Sequence, residues 1–191
     1  MHTKLLATAV AAAALIGLSA CSGSDTSSAA FNSADVTFAQ DMIPHHRQAT
    51  EMAQLAAERT RNTDVLGLAD HVIAAQQPEI DTMSGWLTSW DKEVPADSSG
   101  IGEMEGMDHG SSSSDMPGMM SEEDMSSLEA ASGAAFDRQF LTMMIDHHEG
   151  AIEMASQEEV DGRFDQAVEL AEKIQADQTA EISTMQRLLS S

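Results

Sequence analysis

The 191-residue chain carries 32 acidic and 9 basic residues for a formal net charge of −23, with 4% aromatic residues, no tyrosine and one cysteine. An acidic excess of this size argues against nucleic acid as a partner and favours cations, although it also serves to keep a secreted helical protein soluble. The lone cysteine excludes an intramolecular disulfide and a thiolate metal cluster, and the abundance of Ala, Met, Glu and Gln without β-branched alternation points to an all-α fold.

Residues 1–20 form a leader: Lys4 supplies a short basic region, and an Ala- and Leu-rich apolar run extends from Leu5 to Leu18. The run is shorter than the ~20 residues a membrane span needs, so a cleaved secretory signal is expected rather than an anchor helix. It ends in Leu18-Ser19-Ala20-Cys21, which has the form of a bacterial lipobox, making Cys21 the expected lipidation site and residues 21–33 a polar tether. The expected location is therefore extracytoplasmic, on a membrane surface at the periplasmic or outer face, with membrane contact through the lipid alone.

The first helical hairpin is expected over residues 34–93. Ser33 is the expected N-cap, and Phe38, Met42, His45, Ala49, Met52 and Ala56 step by three and four along one helical stripe. Pro44 cannot donate a backbone hydrogen bond and is expected to kink this helix just before the histidine pair. Asn62-Thr63-Asp64 supplies a turn and a fresh N-cap, after which Leu68, Val72, Gln76, Ile80, Met83 and Leu87 carry a second helix to about Trp90.

Residues 94–132 are rich in Gly, Ser, Asp and Met and are expected to form a flexible linker. Six of the fourteen methionines fall there, in clusters that include Met104, Met107, Met116, Met119 and Met120, with His109 among them. A solvated linker gains nothing from thioether side chains, so these residues are candidates for capturing a metal ion.

The second hairpin, residues 133–191, repeats the first. Met42, Ile43, His45, His46, Ala49, Glu51, Met52 and Ala53 recur as Met144, Ile145, His147, His148, Ala151, Glu153, Met154 and Ala155. The same offset of 102 residues relates Leu68, Gln76, Glu79, Ile80 and Met83 to Leu170, Gln178, Glu181, Ile182 and Met185. The repeated unit is thus a whole helical hairpin, and two such hairpins predict a four-helix bundle.

Neighbouring histidines on a helix diverge by about 100°, which places His45 and His147 in the inward stripe and His46 and His148 beside it. With the first turn near residue 62, Met42 is expected level with Met83 and His45 level with Glu79; the second hairpin likewise sets Met144 and His148 near Met185, and His147 near Glu181. The expected result is one layer of imidazoles, thioethers and carboxylates at the end where both His-bearing helices begin. Burying so many imidazoles without partners costs several kcal/mol, so a metal ion or an organised polar network with Gln76, Glu79, Gln178 and Glu181 is expected. Thioether and imidazole without thiolate suit copper, particularly Cu(I). The di-iron bundle signature Glu-x-x-His is missing, because Met42, Ile43, Met144 and Ile145 stand three residues before the four histidines.

The doubled Met-Ile-x-His-His phrase, with Glu51-Met52 and Glu153-Met154 following, resembles the ferritin-like four-helix family catalogued as domain-of-unknown-function family 305, over about residues 34–191. That resemblance implies a secreted or periplasmic four-helix bundle with members in cyanobacteria linked to copper binding and copper resistance. By position it adds Met52 and Met154 to Met42, His45, His46, Met144, His147 and His148 as candidate ligands. The expected function is copper buffering or delivery without catalysis, with metal ions as the partners and no protein partner identifiable. Two other functions are compatible with the residues: a ferritin-like redox enzyme acting on oxygen or peroxide, for which no bridging carboxylate, tyrosine or nucleophile is visible, and a metal-free interaction module whose histidines are satisfied by Glu79 and Glu181.

Overall fold

The computed structural model describes residues 31–96 and 116–191. Among them are five α-helices and no strand: α1 (Ser33–Arg59), α2 (Thr63–Ser89), α3 (Glu122–Ala130), α4 (Ala134–Asp161) and α5 (Asp165–Leu189). The all-α expectation is met, and α1–α2 and α4–α5 are the two repeated hairpins. No helix among the described residues is long and apolar enough to cross a membrane. Residues 1–30 and 97–115 lie outside the described residues, and with them the leader, Cys21, Met104, Met107 and His109.

The helix ends follow from local chemistry. Asn32, one residue before the expected Ser33, caps α1: its side chain accepts from the Ala34 and Asp35 amides while Asp35 accepts from the Asn32 amide. Asn62 caps α2 as expected. Pro44 lies inside α1, which continues through it as one 27-residue helix, and Pro78 lies inside α2 in the same way.

The linker expectation fails over its last third. Ser121 and Asp124 form a reciprocal capping box that starts α3, and Leu128 is buried in the core. A capped turn with one apolar anchor gives this nine-residue helix a reason to order that Gly/Ser composition concealed.

The hairpins pack chiefly through α1 and α4, which run antiparallel. At one end Asn32 Nδ2 donates to Asp161 O at 2.8 Å, and at the other the Gly133 amide donates to Arg59 O at 2.7 Å. The core consequently divides into two apolar clusters. One joins Ala49, Met52, Val65 and Val72 of the first hairpin with Phe136, Phe140, Met144 and Met185 of the second. The other joins Phe38, Met42, Ile43 and Met83 with Ala151, Ala155, Ala171 and Ile174. Trp86, Trp90 and Phe164 close the bundle beside the second cluster, with Phe164 edge-on to both tryptophans. Helices α2 and α5 touch at few places, which leaves a groove between them lined by His71, Lys173, Asp177 and Glu181.

Where α1 begins, α4 ends and α5 begins, the Glu158 carboxyl lies against that of Asp35. Burial, then the hydrogen bond and negative charge of Asp35, then the charge of Asp161, push Glu158 up to about 8. For Asp35 burial acts in the same sense but is outweighed by the amides of Asn32, Phe164 and Arg163, which hold its carboxyl below the ordinary value. Glu158 is therefore protonated in the fold at neutral pH, whereas the unfolded chain gives up that proton near 4.5. Its contribution to stability is whole below that lower value and is lost as pH rises through about 8. Melting temperature is expected to decline between about pH 7 and about pH 9, above the range in which the buried histidines act in the opposite sense, and Glu158→Gln to flatten the decline. Parallel pH profiles for the parent and the variant would refute this origin.

Candidate metal centre

The antiparallel arrangement of α1 and α4 corrects the expected position of the histidines. The starts of the two His-bearing helices lie at opposite ends of the bundle, so His45-His46 and His147-His148, each near the middle of its helix, meet at mid-height between the two apolar clusters. All four imidazoles are fully buried.

The inward pair is as the stripe implied. The rings of His45 and His147 face one another with centroids 3.8 Å apart and planes tilted by 38°. Burial, followed by the proximity of His46, holds His45 down to about 3; burial, followed by His45, holds His147 well below its ordinary value. Both rings are consequently neutral, the form in which imidazole binds metal.

The carboxylate pairing differs from expectation. Glu79 meets His46 rather than His45, with Nε2 to Oε2 at 2.9 Å, and Glu181 meets His148 rather than His147, at 2.5 Å. The flanking histidines point toward the partner helix of their own hairpin, and the stripe histidines point across to the other hairpin. Burial would raise the Glu79 carboxyl, but His46 and Lys173 outweigh it and hold it low. An ionised Glu79 accepts, so His46 Nε2 is the donor, and it is Nδ1 of the neutral ring that would present a lone pair. Carboxylates that fix histidine tautomers in this way are a common support behind metal ligands.

Each glutamate is also reached from the opposite hairpin. Lys173 Nζ donates to Glu79 Oε1 at 2.9 Å, and His71 Nε2 lies 3.4 Å from Glu181 Oε1. Lys173 and His71 occupy the same position in the two repeats, so these cross-hairpin contacts are related by the internal symmetry. Hydrogen bonds to Asp177 and Glu79 push the Lys173 ammonium up to about 12. Sequence reasoning missed both residues, although the offset of 102 that pairs Glu79 with Glu181 also pairs His71 with Lys173.

Residues 116–120 supply a third partner that composition could not reveal. His45 Nε2 donates to Pro117 O at 3.0 Å, and the Gln48 side chain holds both the amide and the carbonyl of Met120. On the other side of the linker Arg47 donates to Pro95 O and Ala96 O at 2.7 and 3.1 Å. Consecutive residues of α1, Arg47 and Gln48, thus hold Pro95-Ala96 and Met120.

Among the described residues five buried imidazole nitrogens are without a hydrogen-bond partner: Nδ1 of His45, His46, His147 and His148, and Nε2 of His147. Gln76 and Gln178 at the same level also keep buried amide atoms unpaired. Buried polar groups are ordinarily satisfied, so this concentration makes the histidine layer the candidate ligand site. Among the described residues no three His, Cys, Asp or Glu side chains are arranged to hold one ion. An ion held there would need further donors from thioethers or backbone oxygens. The thioethers are distributed on both sides: Met42 and Met83, with Met154 partly buried, in one cluster, and Met52, Met144 and Met185, with Met120 partly buried, in the other. Met116 and Met119 are half-buried on the strand of linker that crosses the site.

Antiparallel helical hairpins enclosing a buried histidine layer between methionine-bearing clusters define a helical-bundle protein with a soft-donor core. The chain belongs to the family described as Domain of unknown function (DUF305), whose pattern matches residues 35–189. A DUF305 protein from Streptomyces coelicolor is similar at 30% identity and TM-score 0.70, with 82% of this chain and 91% of that chain covered. A DUF305 fragment from Deinococcus radiodurans is similar at 29% identity and TM-score 0.69, over 84% and 97%. CopM in its Cu(I)-bound form is similar at 29% identity and TM-score 0.63, over 82% and 95%, and CopM structures with Cu(II) and Ag are also matched. Comparison with curated proteins gives no match.

Proposed function

We propose that the protein binds copper, as Cu(I), in the mid-bundle histidine layer and buffers or delivers it outside the cytoplasm while held to a membrane through lipidated Cys21. The observation that carries this reading is the set of five unpartnered, fully buried imidazole nitrogens between thioether-bearing clusters. His45, His46, His147 and His148 would supply nitrogen donors and Met42, Met52, Met83, Met144, Met154 and Met185 sulfur donors; Met104, Met107, His109, Met116, Met119 and Met120 of the linker would capture ions first. Support from relatives comes from CopM, whose structures hold Cu(I), Cu(II) and Ag.

The donor set also favours a soft monovalent ion. With no three nitrogen or carboxylate donors poised around one point among the described residues, Zn(II) finds no ready tetrahedral set, whereas Cu(I) and Ag(I) accept few donors and favour thioether. Titration of the purified protein with Cu(I), Ag(I) and Zn(II) is expected to show tight, stoichiometric binding of the first two and weak binding of the third. Equal or tighter Zn(II) binding would sink the soft-donor assignment, and no binding of any of the three would favour a metal-free bundle.

A further inference from the structure

Residues 116–120 cross the histidine layer as a strap, and the strap has a built dock. Pro117 O accepts from His45 Nε2 at 3.0 Å. Gly118 has φ of +74° and lies so close to α4 that a Cβ would stand 2.7 Å from Asp146 O and 2.9 Å from His147 O. Gly150 answers from the helix, where a Cβ would stand 2.1 Å from Pro117 O and 2.7 Å from the Gly118 amide. At the far end Gln48 donates to Met120 O at 2.9 Å and accepts the Met120 amide at 2.7 Å. A glycine in the interior of a 28-residue helix weakens that helix. Gly150 is the single glycine of α4, and it stands where the strap touches, so close backbone approach accounts for its presence.

We propose that this strap is the gate through which a metal ion reaches the His45–His147 pair, an inference that rests on the copper-binding reading. With the strap seated both rings are fully buried and His45 is engaged by Pro117. The strap itself is only half-buried and is held largely by polar backbone contacts, the kind of attachment that opens locally while a bundle stays folded. Lifting it releases the His45 ring and uncovers the level of the pair. Met116, Met119 and Met120 ride on the moving segment, so an ion captured there is carried onto the imidazoles as the strap reseats.

Gly150→Ala separates the dock from the bundle, because alanine strengthens a helix while its Cβ collides with the Pro117 carbonyl. In the metal-free protein, hydrogen exchange at the Met120 amide is expected to rise while protection within α4 and the thermal transition are retained. Stopped-flow transfer of Cu(I) from a chromophoric chelator is expected to be roughly tenfold faster than for the parent, since overpacking of a close contact weakens the closed state by about a decade or more. Gln48→Ala, which removes the clamp from the other side, is expected to act in the same direction. Raised exchange with parent-like uptake rates in both variants overturns the gate and leaves copper binding standing, as does unchanged exchange in both. A parent protein that takes up no Cu(I) overturns the reading beneath it.

Discussion

Replacing His45 and His147 together by alanine is expected to lower Cu(I) affinity by on the order of a hundredfold or more, because loss of even a supporting partner behind a metal ligand costs about 10–100-fold. The two rings meet across the hairpin interface with centroids 3.8 Å apart, and burial keeps both neutral. They are also the pair on which three of the five unpartnered imidazole nitrogens reside. Metal binding to the folded state alone stabilises it by about 4 kcal/mol at a thousandfold excess over Kd. The parent should therefore melt higher when loaded with Cu(I), and the double variant should show little of that increment. Circular dichroism separates loss of ligands from loss of fold. The metal-free double variant should remain helical, since two buried polar rings without full hydrogen bonding contribute little to apo stability. Retention of parent affinity by a folded double variant would remove the histidine pair from the site.

Much of this was legible in the sequence because the chain states its structure twice. The constant offset between His45-His46 and His147-His148, continued through Glu79 and Glu181, identifies hairpins rather than isolated motifs, and the all-α bundle follows from them. The stripe of Phe38, Met42, His45, Ala49 and Met52 points His45 toward the other hairpin, where its ring meets that of His147, although the flanking histidines are buried as completely. Periodicity says nothing about the direction in which two hairpins meet. The layer was therefore expected at one end, whereas the contact of Asn32 with Asp161 and of Gly133 with Arg59 sets α1 against α4 in opposite senses and centres it. The Glu79 pairing differs for another reason: the stripe residue His45 turns to the other hairpin, which leaves the flanking His46 to face the partner helix of its own. The strap was hidden for a different reason. Gly118 and Pro117 read as linker composition, and their role depends on Gly150 and Gln48, which are remote in the chain.

The internal symmetry yields the second large effect. Glu79→Leu and Glu181→Leu each strand a buried Nε2–H, on His46 and on His148, that the carboxylate now accepts. An unsatisfied buried donor costs about 1–3 kcal/mol, more where charge is involved, so each variant is expected to lose roughly that much stability in urea unfolding. The corresponding glutamines, which retain an acceptor oxygen, should lose less. On the cross-hairpin side the costs should be small, because Lys173 and His71 are mostly exposed, at 55% and 67%, and return to solvent when their glutamate is removed. The two leucine variants should therefore resemble one another, although one glutamate faces an ammonium and the other an imidazole. Cu(I) affinity should fall by about 10–100-fold in both, since the carboxylate fixes which nitrogen of the flanking histidine is free to bind. A stability loss without an affinity loss would confine Glu79 and Glu181 to holding the hairpins together. Loss of both would show that the repeat preserves a carboxylate–imidazole pair because the metal layer depends on it twice.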